Sequence, residues 1–574
     1  MTVAPGIDAG RRAVAQLVRE GADILFSLNG GHIAPIYDAC LDLGLRILDV
    51  RHEDAAVHMA HAYARLAGRP GVACVTAGPG VTNAVTAMAT AFAAASPLLL
   101  IGGKTPLRQF DLGALQDVDQ VAILRPVTKG AFTVLEGARV AEYVNAAIRL
   151  AYAPPHGPAY VEIPTDVLRE RAPVEDADGG TLPPARPAGR PAPDLALLAR
   201  ALERIERAER PVIVAGGGVL WSGAQATLRA LAERLQAPVL TTSLARGLLP
   251  GAHPLNLYAA RSFLLSRADL ILVVGTRFNY VLGYGRPPRL PKGAAVIQID
   301  AAASELNRNR VVDVAIQADA GAALAALAAA LPAGAPGRPW LAEAAARHAK
   351  ATAAQEAQAA AEARPIHPLR LCRDVVRAAP PEATFIADGG DILSFARLAI
   401  HPDAPGRFLD PGPYGCLGVG LPFANAAALA RAGAPAVCIS GDGALGIHLM
   451  EFDTAVRHRL PILVVVSNNA GWGIERNSQV ADFGADRVIG TLLRDSRFDL
   501  VARALGGHGE RVTDPAQIAP AVRRALEAGL PALVDVATDI GAASPDLARG
   551  LARVPDRQPL DFYGAPISRG RGEG

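Results

Sequence analysis

Ala436-Val437-Cys438-Ile439-Ser440-Gly441-Asp442-Gly443 and Pro461-Ile462-Leu463-Val464-Val465-Val466-Ser467-Asn468-Asn469 decide the fold of this chain. Each begins as a short apolar run of strand length, and a helical stretch separates the two. The first run ends on a carboxylate between glycines, and the second ends on an amide pair. Asn469 follows Asp442 by 27 positions (469 − 442). A carboxylate and an amide therefore sit at the C-terminal ends of two predicted buried strands, which is where open α/β sheets hold ligands. Oxygen ligands with no His or Cys beside them suit a hard cation such as Mg²⁺, which commonly binds one or two protein groups plus phosphate oxygens. The pair reads as a clamp for a Mg²⁺-diphosphate. Gly-Asp-Gly alone is ordinary turn chemistry; the order strand, GDG, helix, strand, NN gives it weight.

Outward from this stretch the pattern repeats. The chain has 574 residues, which suggests three or four domains. Strands are predicted at Ile24–Leu28, Gly71–Thr76, Leu98–Gly102 and Ala159–Ile163 in a first block (1–170). A second block (195–330) has them at Pro211–Ala215, Ala237–Thr241, Leu270–Val274 and Ala295–Ile299. A third (366–545) has them at Thr384–Ala387, Ala436–Ser440, Pro461–Ser467 and Ala532–Val536. Strands alternating with helices imply an α/β chain of parallel sheets flanked by helices. The breaks are a Pro/Gly/Ala-rich linker at Arg171–Asp194 and an alanine-rich helical stretch within Leu331–Pro365.

Hydrophobic residues make up 51% of the chain and charged residues 20%, as in a soluble globular protein. The net charge of +2 offers no argument for nucleic acid or a membrane as partner. No apolar run reaches the length of a membrane span, and the N-terminus has no apolar signal core, so the expected location is cytoplasmic. The five cysteines are scattered with no CxxC spacing, which suggests a reducing compartment and no zinc site.

The GDG…NN arrangement resembles the thiamin diphosphate signature of the decarboxylase and acetolactate synthase superfamily, and the resemblance covers nearly the whole chain. It implies pyrimidine-binding, middle and diphosphate-binding domains in that order, and thiamin diphosphate and Mg²⁺ as cofactors. By resemblance Asp442, Asn469 and the carbonyl of Gly471 hold the metal. Gly389, Gly390 and Asp391, with Gly441, Gly443 and Ala444, surround the diphosphate. Glu53, just after a strand-like ILDV, matches the glutamate that shares a proton with the cofactor's pyrimidine N1′. Gly78 and Pro79, with Asn83 after them, match the loop beside the pyrimidine. Pro411–Gly420 matches the segment that bends the cofactor, with Leu417 as apolar prop and the Gly415 carbonyl facing the pyrimidine amino group. Trp472 and Gly473 open a helix whose Ile474 and Glu475 face substrate.

The segments around His32, Glu53 and Gln116 look like the proton-handling constellation of benzaldehyde lyase. His32 is then a proton relay and Gln116 a hydrogen-bond donor. The chain departs from that enzyme at Leu393 and Pro411, where it has two polar residues, which argues against identical substrates. Middle-block strings resemble oxalyl-CoA decarboxylase and 2-hydroxyacyl-CoA lyase. They make Arg261, Arg277, Asp300 and Asp319 candidate nucleotide contacts, with ADP as candidate ligand. Packing alone is an equal reading, and FAD or no ligand stays open. Arg553, Arg557, Arg569 and Arg571 lie in a tail (546–574) that is either a lid over CoA phosphates or a frayed terminus.

The expected activity is carbon–carbon lysis and ligation. The first reading is cleavage of 2-hydroxyacyl-CoA to formyl-CoA plus an aldehyde or ketone, with the reverse acyloin ligation. The second is a CoA-free carboligase of the benzaldehyde lyase or acetolactate synthase kind. A nucleotide-binding regulatory subunit is a third, disfavoured by the joint presence of Glu53, Asp442 and Asn469. The resemblance implies an active site shared between two chains, hence a homodimer or homotetramer.

Overall fold

A computed structural model describes residues 7–172, 182–186, 189–332 and 338–544. The tail expected to form a lid lies outside the described residues. Three parallel sheets, each flanked by helices, form three domains. The N-terminal sheet has the spatial order Arg46–Asp49, Ile24–Leu28, Gly71–Val75, Leu98–Lys104, Pro158–Pro164, Ala131–Thr133. The C-terminal sheet runs Phe408–Leu409, Thr384–Asp388, Ala436–Gly441, Ile462–Asn468, Ala532–Ala537, His508–Val512. Numbered within each domain, both have the order 2-1-3-4-6-5. The middle sheet follows 2-1-3-4-5: Val239–Thr241, Pro211–Ala215, Leu270–Val274, Ala295–Asp300, Val314–Gln317. A two-residue antiparallel pairing of Ile7–Asp8 with Arg171–Ala172 ties the ends of the first domain together.

Central strands are apolar on both faces because helices cover both, so they read as continuous runs such as ILVVV. Every predicted strand is present, with ends shifted by no more than two residues. The strands not singled out from sequence are edge or short ones, such as Ala131–Thr133 and His508–Val512, half-buried and partly polar.

The outer domains share one hydrophobic core. Helix Glu53–Ala67 packs on helix Gly420–Ala430 with His58 and His61 edge-on to the Phe423 ring, at centroid distances of 5.9 and 5.2 Å, and the Arg65 guanidinium 5.8 Å from its centroid. Polar contacts cross the same seam. Arg51 donates its backbone N–H to Glu451 at 3.0 Å, and Arg65 donates to the Asp410 carbonyl at 3.2 Å. Asp54 lies 3.2 Å from His58 Nε2 and 3.6 Å from His448 Nε2.

Burial alone would lower the His58 pKa, but the charge and hydrogen bond of Asp54 outweigh it and push His58 up to about 9. Burial works to raise Asp54, and its histidine neighbours hold it below the usual carboxylate value. The His58 contribution to stability is then full below its unfolded pKa and lost as pH rises through about 9. The Asp54 contribution is present above its unfolded value and lost on acidification. A His58→Gln variant is therefore expected to melt about 2 °C or more below wild type at pH 7. That gap should close by pH 10. A gap that stays constant in calorimetric scans across this range would show that the ion pair is not its source.

Candidate active site

The N-terminal half of the site gathers at the carboxyl edge of its sheet. After strand Ile24–Leu28 the chain turns through Gly31–Ile33 and presents His32, half-buried, with Nδ1 3.2 Å from Thr76 Oγ1. Burial lowers its pKa, so the ring is neutral near pH 7. Glu53 is the first residue of its helix, is 7% exposed, and accepts from Asn83 Nδ2 at 3.0 Å through Oε2. A carboxylate in the first helical turn is also favoured by the backbone dipole. Gly78 has φ +59, and a Cβ there would lie 2.7 Å from Gln116 Cβ. Gln116 itself sits at φ +63. The structure thus brings Gln116, predicted from a segment some 38 positions away (116 − 78), directly onto the Gly78-Pro79 loop.

The C-terminal half occupies the carboxyl edge of the other sheet. Strand Thr384–Asp388 delivers Gly389 and Gly390, and helix Asp391–Ala399 follows. Strand Ala436–Gly441 delivers Asp442, the first residue of helix Asp442–Ile447. Strand Ile462–Asn468 delivers Asn469 and Gly471 ahead of helix Gly473–Phe483. Asp442 is 4% exposed and accepts from the Gly471 N–H at 3.1 Å. Burial pushes its carboxyl up to about 6 against the pull of the Gly443 and Gly471 N–H groups. Asn469 Oδ1 is buried and, among the described residues, has no hydrogen-bond partner. Such an orphaned acceptor costs free energy unless a ligand satisfies it.

Close packing shapes the cradle. The Trp472 ring lies over Gly443, where a Cβ would meet it at 2.7 Å, and Ile474 lies over Gly390 at 2.5 Å from the same hypothetical atom. Ala444 is buried behind the loop. A Cβ on Gly473 would sit 2.7 Å from Asn469 Nδ2 and 3.4 Å from Asp391 Oδ2. Leu393 and Pro411 are buried, Leu417 and Ile474 are half-buried, and Gly415 and Glu475 are exposed.

Among the described residues no group of three or more His, Cys, Asp or Glu is placed to hold a metal ion. The Asp442, Asn469 and Gly471 set is of another kind: one carboxylate, one amide with an unsatisfied oxygen, and one backbone carbonyl. That donor set fits Mg²⁺ completed by diphosphate oxygens. Among the described residues, no hydrogen bond joins Glu53, His32 or Gln116 to Asp442, Asn469 or Gly471. Each half is assembled within one chain, and the halves lie on different sheets.

The chain matches three segments of one family. These are the N-terminal TPP binding domain of thiamine pyrophosphate enzymes at residues 7–123, the central domain at 198–327 and the C-terminal TPP binding domain at 388–536. It belongs to the thiamine pyrophosphate enzyme family. Among its relatives is a probable acetolactate synthase of Mycobacterium bovis, 38% identical over 94% of this chain and 97% of that protein. Another is 2-hydroxyacyl-CoA lyase 2 of Homo sapiens, 35% identical over 87% of this chain and 84% of that protein. A 2-hydroxyacyl-CoA lyase of Oryza sativa is 30% identical over 94% and 97%.

The central thiamine pyrophosphate enzyme domain borders a cavity of about 1430 Å³, and Arg261, Arg277, Asp300 and Asp319 all line it. Burial raises Asp300 to about 6. Asp319 accepts from Ser222 Oγ at 2.8 Å, and Arg277 lies 3.5 Å from Glu305. Sequence reasoning missed most of the lining. Among the described residues ten arginines border the space against three carboxylates. They come from all three domains and the linker, so no local cluster marked them. The cavity extends to Gly412 and Pro413, immediately before the Gly415–Leu417 segment, and Tyr280 Oη donates to the Pro413 carbonyl at 3.0 Å.

Proposed function

We propose that this chain is a thiamin diphosphate- and Mg²⁺-dependent carbon–carbon lyase and carboligase. Its substrate on this reading is a 2-hydroxyacyl-CoA, cleaved to formyl-CoA and an aldehyde or ketone, with acyloin ligation as the reverse. The observation that carries the CoA part is the arginine-rich cavity reaching Pro413. Excess positive charge of this kind suits the phosphates of an adenine nucleotide such as ADP, or of CoA.

The bound cofactor supplies the electron sink. The chain's own groups do the rest. Asp442, Asn469 and the Gly471 carbonyl hold the metal, and the loop Gly389–Asp391 presents backbone N–H groups to the diphosphate. Glu53 shares a proton with the pyrimidine. His32, neutral near pH 7, takes the proton of the substrate hydroxyl. Gln116 donates a hydrogen bond to the substrate carbonyl. Leu393, Leu417 and Ile474 keep the reacting centre apolar, and the fate of Glu475 is contact with the substrate's outer end. On this reading, as the resemblance implies, a homodimer completes the site with Glu53 of one copy and Asp442 of the other.

A second reading, a CoA-free carboligase acting on aldehydes or 2-keto acids, is favoured by the pairing of His32 and Gln116 around the Gly78 loop and by the acetolactate synthase relatives. Isothermal titration of the cofactor-loaded protein with CoA and, separately, ADP decides between them. Saturable CoA binding with turnover of 2-hydroxyacyl thioesters is expected. Absence of both, with turnover of benzoin, acetoin or pyruvate, would reject the CoA reading.

A further inference from the structure

Gln120 is fully buried at the start of the short helix Gln120–Leu124, four residues beyond Gln116. Its Oε1 accepts from the Gly78 N–H at 2.6 Å. Its Nε2 lies 3.0 Å from the Gly103 carbonyl, 2.9 Å from Tyr160 Oη and 2.8 Å from Glu162 Oε2. Glu162 is held in turn by Thr133 Oγ1 at 2.7 Å. One side chain therefore ties together the ends of three strands. Two of these ends border the N-terminal half of the site. Gly78 opens the loop that Gln116 packs on, and Gly103 packs against His32, whose Cβ would lie 2.6 Å from a Cβ there.

Gly78 needs this tie more than an ordinary turn residue would. Its φ of +59 and ψ of −111 lie in a region that L residues avoid, so the loop is not held by its own backbone preference. Pro79 has no N–H to give. The amide of Gly78 is thus the anchor available at the start of the loop, and Gln120 takes it. Gln116 likewise sits at positive φ. Its loop is tied on both sides, by Thr105 Oγ1 to the Leu115 carbonyl at 3.4 Å before it and by Lys104 to Asp117 at 2.8 Å after it.

We infer that Gln120 is a positioning residue for the reaction: by holding the Gly78 amide and the Gly103 carbonyl at once, it sets Gln116 and His32 relative to the pyrimidine-side loop. The inference rests on the roles given to Gln116 and His32 above. Gln120 itself touches neither substrate nor cofactor.

The titratable groups packed around it are Glu162 and Tyr160 on strand Pro158–Pro164, Cys74 on strand Gly71–Val75, and the Lys104–Asp117 pair. In a Gln120→Glu variant the new carboxyl oxygen stands in for Nε2 at 2.8 Å from Glu162 Oε2. Two carboxylates so close must share a proton to keep the geometry. When they do, Oε1 still accepts from Gly78, while the one shared proton leaves the Gly103 carbonyl without its donor.

Three readouts test this on the cofactor-loaded protein. In Gln120→Leu, amide hydrogen exchange of the peptide spanning Thr76–Asn83 is expected to quicken about tenfold, while that of Leu98–Ile101 stays as in wild type. In Gln120→Glu, kcat is expected to be at least tenfold lower at pH 8.5 than at pH 6, with KM nearly unchanged. The wild-type profile lacks that added titration. A uniform, pH-independent loss in Gln120→Glu, or unchanged exchange around Gly78 in Gln120→Leu, would overturn the positioning role. If wild type turns over neither acyl-CoA nor aldehyde substrates, the functional reading fails while the exchange experiment still judges the Gln120 contacts on their own.

Discussion

Replacing Glu53 by Gln lowers kcat by about 100-fold or more and leaves cofactor affinity within a few-fold of wild type. The geometry separates the two effects. Glu53 is buried at a helix start and its polar contact within the chain is the Asn83 amide, so a neutral amide of the same shape can stay in place. What is lost is the ability to share a proton. Positioned acid–base groups of this kind contribute roughly 10²–10⁴ in rate. Two measurements belong together: steady-state turnover, and deuterium exchange at the thiazolium C2 of the bound cofactor by NMR. Both are expected to slow in parallel. Turnover equal to wild type would remove Glu53 from the mechanism, and slow turnover with normal C2 exchange would move its role to a later step.

Replacing Asp442 by Ala abolishes the binding of Mg²⁺–thiamin diphosphate at concentrations that saturate wild type. Asp442 would supply the metal's only charged side chain among the three proposed ligands, and the same carboxylate holds the Gly471 N–H. Its removal therefore loses a metal bond and also frees the segment that carries the other two ligands. A loss of about 100-fold in affinity is the minimum expected. Isothermal titration with the cofactor at fixed Mg²⁺ measures it, and circular dichroism of the apoprotein checks that the fold survives. Unchanged affinity would reject the metal clamp.

The parts of this molecule that were legible in sequence are those where local chemistry and global position agree. A buried parallel strand must be apolar on both faces, so ILVVV and LILVV announce themselves. The polar ends of these strands were legible because Asp442 and Asn469 follow apolar runs directly at their carboxyl ends. Edge strands were not, since HGERV on the rim is half-wet and reads as loop. Nor was the seam between outer domains. Asp54 and His448 meet across 394 positions (448 − 54), and nothing local to either residue marks the other. Gln120 was visible only as one glutamine in a loop string; three of its four partners belong to strands whose register sequence periodicity does not specify, and the fourth, Gly78, to the loop after another.

The common core of the outer domains bears on how the chain is made. The face of helix Glu53–Ala67 that meets helix Gly420–Ala430 leaves the ribosome long before its cover exists. The interval is 353 residues (420 − 67). At roughly 5–20 residues per second this amounts to about 20–70 s of synthesis. The first third of the nascent chain thus waits with the His58, His61 and Arg65 face uncovered, while the middle domain, which carries its own cores, can close in between. The time taken to translate residues 68–419 therefore sets how long that early surface stays without its cover.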